Sequence, residues 1–295
     1  MAGGGSFMSD GNAGLAGGLC AVVPVKAFDA AKSRLAEALP LAARPGLASA
    51  MLEDVLAALA AAAVLRPERL VAIRVVTSEP GAAAIAARHG AVVEPEAAPP
   101  AGGQGPEAGL NAAVDGAARR LAAQGTEGML VLPADLPCIT AAEIVGLIDA
   151  HGAGTPGRSP AVTLAPARAG GGTNALLASP PALLPAAYGP GSLARHSASA
   201  SARGVRPRIH GSRGIALDID TPDDLAALAG MQPGPCTARL LAGEPALAAD
   251  PVPDAEAARR AEAQAAAQEQ AAAAKERLGA LWSMLRTAVP GSGRS

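Results

Sequence analysis

Residues 24–35, PVKAFDAAKSRL, place Lys26, Lys32 and Arg34 within nine positions, directly after a short apolar run. The whole chain has three lysines, and two of them are here. Cations on a loop leaving a strand suit a triphosphate: they neutralise its charge while backbone N–H groups help hold it. No G-x-x-x-x-G-K-[ST] occurs, so this is not a Walker A loop. Taken alone, the same residues also read as a solvated basic helix start. Residues 132–137, LPADLP, put Asp135 just after another apolar stretch. A carboxylate there is placed for Mg2+, which takes one or two carboxylates plus phosphate oxygens. The plainer reading is a turn aspartate before proline.

In residues 217–225, LDIDTPDDL, Asp218 and Asp220 alternate about Ile219. On a strand, i and i+2 share a face, so both carboxylates could meet one metal. Two close carboxylates repel unless a cation or a proton lies between them. Thr221 reads as a helix N-cap with Pro222 at the first helical position. Asp223 and Asp224 then fall in the first turn, where they favour the helix dipole, and their role is structural. The remaining cluster is GGGTN, residues 170–174, with YGPGSLARH, residues 188–196. Successive glycines allow close backbone approach to an anion. Ser192, at the start of a helix, sets a hydroxyl and N–H groups where an anion binds well, or is merely a cap. A lone His196 reads as a structural hydrogen-bonder. Three of the four clusters lie at or just after strand C-terminal ends, where open parallel sheets place ligands.

The elements that must position these residues follow from apolar runs. Strands are expected at 19–25, 70–77, 91–94, 128–134, 161–166, 174–178 and 215–219. Helices are expected at 41–65, 80–89, 110–123, 140–150, 192–203 and 222–229. Strands alternating with helices at this spacing argue for an α/β fold with a mostly parallel sheet covered on both faces. Several strands are apolar throughout, as burial on both faces requires. Residues 95–109 form a Pro/Gly loop, long enough to be mobile or functional.

Composition bounds the rest. The 295 residues carry a formal charge of −2, so no nucleic-acid polyanion partner is expected. Alanine supplies 77 residues and arginine outnumbers lysine 21 to 3, which reads as a GC-rich coding bias. Cys20, Cys138 and Cys236 are sparse and odd in number, which fits a reducing cytoplasm better than a disulfide framework. No charge-free apolar run reaches membrane-spanning length, and the start is not a signal peptide. Residues 1–17 are too rich in Gly, Ala and Ser to bury a face and are expected to be disordered. The domain is expected at 18–230, with a Pro/Ala/Gly linker at 231–254. Residues 255–295 form an Ala-rich helical extension, whose 255–286 helix would be about 45 Å long. It reads first as a solvated or self-packing appendage, and otherwise as a helix for a homodimer or a partner.

In this order, PVKAFDAAKSRL, EAGLNAA, LPADLP, GGGTNALL, GPGSLARH and LDIDTPDDL resemble the phosphoenolpyruvate/2-phospho-L-lactate guanylyltransferase family, which acts in coenzyme F-420 biosynthesis. The resemblance covers about residues 19–228. It implies a nucleotide-diphospho-sugar-transferase-like three-layer sandwich. It implies that GTP and a phosphorylated three-carbon acid, phosphoenolpyruvate first among the candidates, give a guanylylated product and pyrophosphate, with Mg2+ as cofactor. By this resemblance Lys26, Lys32 and Arg34 face the triphosphate, and Asp135, Asp218 and Asp220 hold the metal. Leu110 and Asn111 approach the nucleotide, and Thr173, Gly189 and Ser192 take the acceptor. The 98–108 loop and the C-terminal helix depart from the pattern. An enzyme forming molybdopterin nucleotides would need a Gly-rich loop where VPVKAF stands. A non-catalytic nucleotide-binding module would not need Asp135, Asp218 and Asp220 intact.

Overall fold

The computed structural model describes residues 17–28, 32–36, 38–96, 107–152 and 159–243. The expected disordered lead, apart from Gly17, and the expected helix at 255–286 lie outside them.

Seven strands form one sheet in the order β3-β2-β1-β4-β6-β5-β7. They are β1 (Leu19–Pro24), β2 (Leu70–Val76), β3 (Val92–Glu94), β4 (Gly128–Val131), β5 (Ala161–Pro166), β6 (Thr173–Ser179) and β7 (Arg208–Ile209). Pairings are parallel except those of β6, which runs antiparallel to both β4 and β5. The expected mostly parallel α/β sheet is therefore present.

The alternation of β1 shows how the layers form. Leu19, Ala21 and Val23 join a core cluster with α1 (Arg44–Leu65), α2 (Pro80–Arg88) and α4 (Ala141–Gly152). Cys20 and Val22 face the other way, packing with Val114, Ala117 and Leu121 of α3 (Ala108–Ala123) and Ala200 of α5 (Ser192–Ser201). Since side chains alternate across a strand, one apolar hexapeptide serves both layers. Leu41–Leu65 has the length and apolarity of a membrane span, yet it carries Glu53 and Asp54, and 61% of its most apolar window is buried. Packing on the sheet accounts for that apolarity. Cys20, Cys138 and Cys236 are all free thiols.

Two expectations need correction. Residues 215–219 do not form a strand. A helical turn, α6 (Arg213–Ala216), is capped by Ser212, whose hydroxyl accepts from the Ile215 N–H. Glu143 fixes this turn by accepting from the Ser212 hydroxyl at 2.6 Å and the Gly214 N–H at 2.7 Å. A Cβ at Gly214 would collide with the Cys138 carbonyl, so the close approach requires glycine. The chain then runs extended, and Ile219 donates its N–H to the Asp135 carbonyl. The second correction lies in the expected linker. Residues Pro235–Leu241 are a helix, α8, with Asp54 of α1 accepting from the N–H groups of Cys236 and Thr237, both at 2.9 Å. Those are the amides a helix start leaves unpaired.

A third apolar cluster lies under the site. Leu35, Leu47, Met51, Cys138, Leu217, Ile219 and Leu228 form it, with Leu240 of α8 packed against them. It joins the Lys32 loop to the Asp218–Asp220 segment. α7 (Pro222–Leu228) continues from there through a capping box: Thr221 accepts from Asp224 N–H, and Asp224 accepts from the Thr221 N–H. Such caps are worth about 1 kcal/mol. Asp224 is thus structural, as its place in the sequence indicated.

Candidate active site

The antiparallel sense of β6 brings the fourth cluster to the same sheet edge as the others. Val131, the last residue of β4, pairs with Leu176. Thr173 and Asn174 precede Leu176, so they lie beyond the C-terminal end of β4, beside the 132–137 turn. Lys26 and Lys32 follow the C-terminal end of β1. The hydrogen bond from Ile219 to Asp135 adds the 217–220 segment. A concavity of about 790 Å3 runs along β7 and is lined by none of these residues.

At the charged end, the Lys32 ammonium bridges two carboxylates. It donates to Asp135 Oδ2 at 2.5 Å and Asp220 Oδ1 at 2.9 Å. Its side chain is only 7% exposed. Burial works against the ammonium, but Asp135 and then Asp220 outweigh that and raise its pKa above the usual lysine value. Lys32 also has φ of +59°, a left-handed conformation that non-glycine residues adopt at a cost. The cation that two neighbouring carboxylates require is therefore part of the chain itself.

Asp218 takes a different position from its i+2 neighbour. Its Oδ1 accepts from Asn174 Nδ2 at 3.1 Å, and the same amide reaches the carbonyls of Ile215 and Ala216. Burial, with the negative charges of Asp135 and Asp220, raises its pKa against the Asn174 hydrogen bond. As placed, Asp135, Asp218 and Asp220 are not a three-ligand cage: among the described residues no group of three or more His, Cys, Asp or Glu could hold a metal. What does fit a divalent cation is narrower. Asp135 and Asp220 already converge on one positive charge, and Asp135 Oδ1 is buried with no hydrogen-bond partner. Two carboxylates with a spare acceptor match a cation that completes its shell with phosphate oxygens and water.

The other end holds neutral groups. Ser192 is the first residue of α5, and Gly191 rather than Ser192 is its N-cap. The Ser192 hydroxyl instead lies 3.3 Å from Thr173 Oγ1, which lies 3.1 Å from His196 Nδ1. Ser192, Thr173 and His196 are all buried. Gly189 has φ of +110°, and a Cβ there would press on Glu107. Its carbonyl accepts the Ser192 N–H at 3.0 Å. The guanidinium of Arg195 donates to the carbonyls of Ala187, Tyr188 and Pro190, holding this loop against α5.

The remaining sequence-derived residues divide. Lys26 is exposed and pairs with Glu107 at 3.7 Å. Arg34 is exposed. Leu110 packs against the core cluster under α3. Asn111 spends its amide on Tyr188, accepting from the Tyr188 N–H at 2.7 Å and donating to the Tyr188 carbonyl at 3.5 Å. It therefore ties α3 to the 186–189 loop. Sequence reasoning passed over Asn174 and Arg195. Asn174 had a signal, since it sits beside Thr173 in GGGTN. Arg195 had none beyond its place in the motif.

The sequence profile of the family described as "Guanylyl transferase CofC like" matches residues 19–79 and 104–232. A phosphoenolpyruvate guanylyltransferase of Rubrobacter xylanophilus is 39% identical over 208 residues, covering 70% of this chain and 92% of that protein. Its counterpart in Sphaerobacter thermophilus is 41% identical over 215 residues, covering 72% and 93%. A crystal structure of a protein described as a nucleotide-diphospho-sugar transferase, from Desulfovibrio desulfuricans G20, superposes with a TM-score of 0.51 at 15% identity. It covers 71% of this chain and 85% of that one, a likeness of fold.

Proposed function

The chain belongs to the CofC-like guanylyl transferase family, and from that premise we propose that it joins GMP from GTP to phosphoenolpyruvate, releasing pyrophosphate, as an early step of coenzyme F-420 biosynthesis. The observation that carries this reading is the 39–41% identity to phosphoenolpyruvate guanylyltransferases over nearly their whole length. The geometry supports it, because a carboxylate end that suits a phosphate-bound divalent cation and a neutral hydroxyl end share one sheet edge.

An oxygen of the acceptor phosphate attacks the α-phosphorus of GTP. The bond from that phosphorus to its bridging oxygen breaks, and the electron pair leaves with pyrophosphate. The nucleophile is already ionised, so no general base is needed. What the protein must supply is in-line placement of two polyanions and neutralisation of charge. Lys26, Lys32 and Arg34 serve the triphosphate. Asp135 and Asp220, with Asp218 beside them, would hold Mg2+, which when bound neutralises phosphate oxygens in the transition state. Asn174 keeps Asp218 turned to that end. Thr173, Gly189 and Ser192 hold the acceptor. Leu110 and Asn111 line the approach of the nucleotide through the backbone of α3.

The deciding experiment is pyrophosphate release from GTP with phosphoenolpyruvate, 2-phospho-L-lactate or 3-phosphoglycerate supplied separately. Release is expected with phosphoenolpyruvate above the other two. Release only with another acid would change the acceptor, and release with none would leave a nucleotide-binding module.

A further inference from the structure

We propose that His196 is a positioning residue for the acceptor: its ring fixes the Thr173 oxygen as an acceptor, so that the Thr173–Ser192 pair presents one hydroxyl proton to an anionic oxygen of the substrate. This rests on the reading that Thr173 and Ser192 take the acceptor. The argument starts from a backbone amide. The Ala187 N–H lies 3.0 Å from His196 Nε2. An amide N–H can only donate, so Nε2 carries no proton. A neutral imidazole then has its proton on Nδ1. Burial and the charge of Arg195 hold the ring neutral, with a pKa lowered to about 4. Nδ1 lies 3.1 Å from Thr173 Oγ1, so the ring donates and the hydroxyl oxygen accepts.

The hydroxyl protons then follow by counting. Thr173 and Ser192 have one each. Neither can be given to His196, whose Nδ1 is already protonated. Their mutual contact at 3.3 Å uses one. One proton is left to donate elsewhere. A phosphate or carboxylate oxygen is the strongest acceptor available to it. Without the ring, a Thr173 proton could turn inward and the pair would lose its fixed polarity. The ring is itself held in place. Tyr188 packs edge-on against it at 5.1 Å between centroids, and the 186–188 backbone is anchored to α3 through Asp115 and Asn111.

The test uses the full chain with Ser192→Ala, His196→Ala and His196→Asn, reading KM for phosphoenolpyruvate and for GTP from pyrophosphate release. Asparagine can place an N–H donor near the Nδ1 position. His196→Ala is expected to raise the acceptor KM about tenfold, the scale of one hydrogen bond to a charged group, with the GTP KM within about twofold. His196→Asn is expected to recover most of that loss. Equal rises in both KM values, or no recovery by asparagine, would reduce His196 to a packing residue and overturn the proposal. An acceptor KM raised by Ser192→Ala but not by His196→Ala would overturn it while leaving the acceptor assignment standing. A Ser192→Ala chain altered only in its GTP KM would overturn that assignment instead. A readout on the unmutated protein needs no variant to fold: ring nitrogen NMR shifts at pH 7 should show protonated Nδ1 and bare Nε2. The opposite tautomer would overturn the proposal.

Discussion

At one end of the site Lys32 is clasped by Asp135 and Asp220, and Asp218 stands beside them. At the other, Thr173, Ser192 and His196 touch one another with no formal charge among them. Consecutive residues of β6 serve the two: the Thr173 hydroxyl oxygen lies 3.1 Å from His196 Nδ1, and the Asn174 amide donates to Asp218. The difference teaches how each end can be ready before a substrate arrives. Carboxylates side by side are unstable without a cation, and the chain provides one. Hydroxyls carry no such penalty, and they need only a fixed direction, which a neutral ring can set. On the proposed chemistry the charged end must exchange partners when a polyanion and a cation come in, whereas the neutral end needs no rearrangement.

The comparison is broken most directly by removing a carboxylate. Asp135→Ala or Asp218→Ala is expected to cut guanylyl transfer roughly 100-fold or more, the scale of losing a preorganised charge-stabilising group, with the protein still folded. Steady-state rates and circular dichroism check both halves. Near-normal turnover in both variants would remove the cation from this end. Lys32→Met is next. It leaves Asp135 and Asp220 without their ammonium, and because their side chains are 22% and 44% exposed the cost falls below the about 3–5 kcal/mol of a fully buried pair. The variant should melt well below the parent in chelator. Mg2+ or Mn2+ should then raise its melting midpoint more than the parent's, because a ligand stabilises the state that binds it. Equal shifts in the two proteins would show that Lys32 and a divalent cation do not share a place.

How far the sequence reached depends on the range of the interactions. Lys32 stood out by lysine scarcity and Asp135 by following an apolar run, both local signals. That they pair was not legible, because 103 positions separate them, and 188 separate Lys32 from Asp220. The sheet was legible because β1 and β4 are apolar throughout. The strand assigned to 215–219 failed for a distant reason: Glu143 and the tight seat of Gly214 make a turn from residues whose types allow a strand. α8 was missed in the same way. Its start is capped by Asp54, 182 positions from Cys236, so the Pro/Gly composition was all that showed locally. The sequence reads His196 as a structural hydrogen-bonder, which agrees with its contacts. The direction of those bonds, and hence its effect on Thr173, needed the Ala187 amide in place.

The smallest expected effect concerns acid, and it separates the two ends by sign. His196 and His151 are both buried with pKa values lowered from 6.5 to about 4, His151 by burial and by Arg208 and Arg69. His151 lies between the hydroxyls of Thr163 and Ser179, each at 3.0 Å. A base whose folded pKa is below its unfolded value binds its proton more readily when unfolded. Stability from both rings is therefore full above pH about 6.5 and is lost as pH falls towards 4. Lys32, raised instead of lowered, stays charged throughout and contributes nothing in this window. Glu53, Glu143 and Asp224, held below their usual values, add to the loss at its acid end, while Asp54 and Asp218, held above theirs, oppose it. Urea midpoints measured at intervals from pH 7 to 4 should fall with a slope approaching two protons. His196→Asn should lose about one proton of that slope. An unchanged slope would mean that His196 does not resist its proton in the fold, and the neutral end would then be neutral only by the choice of pH.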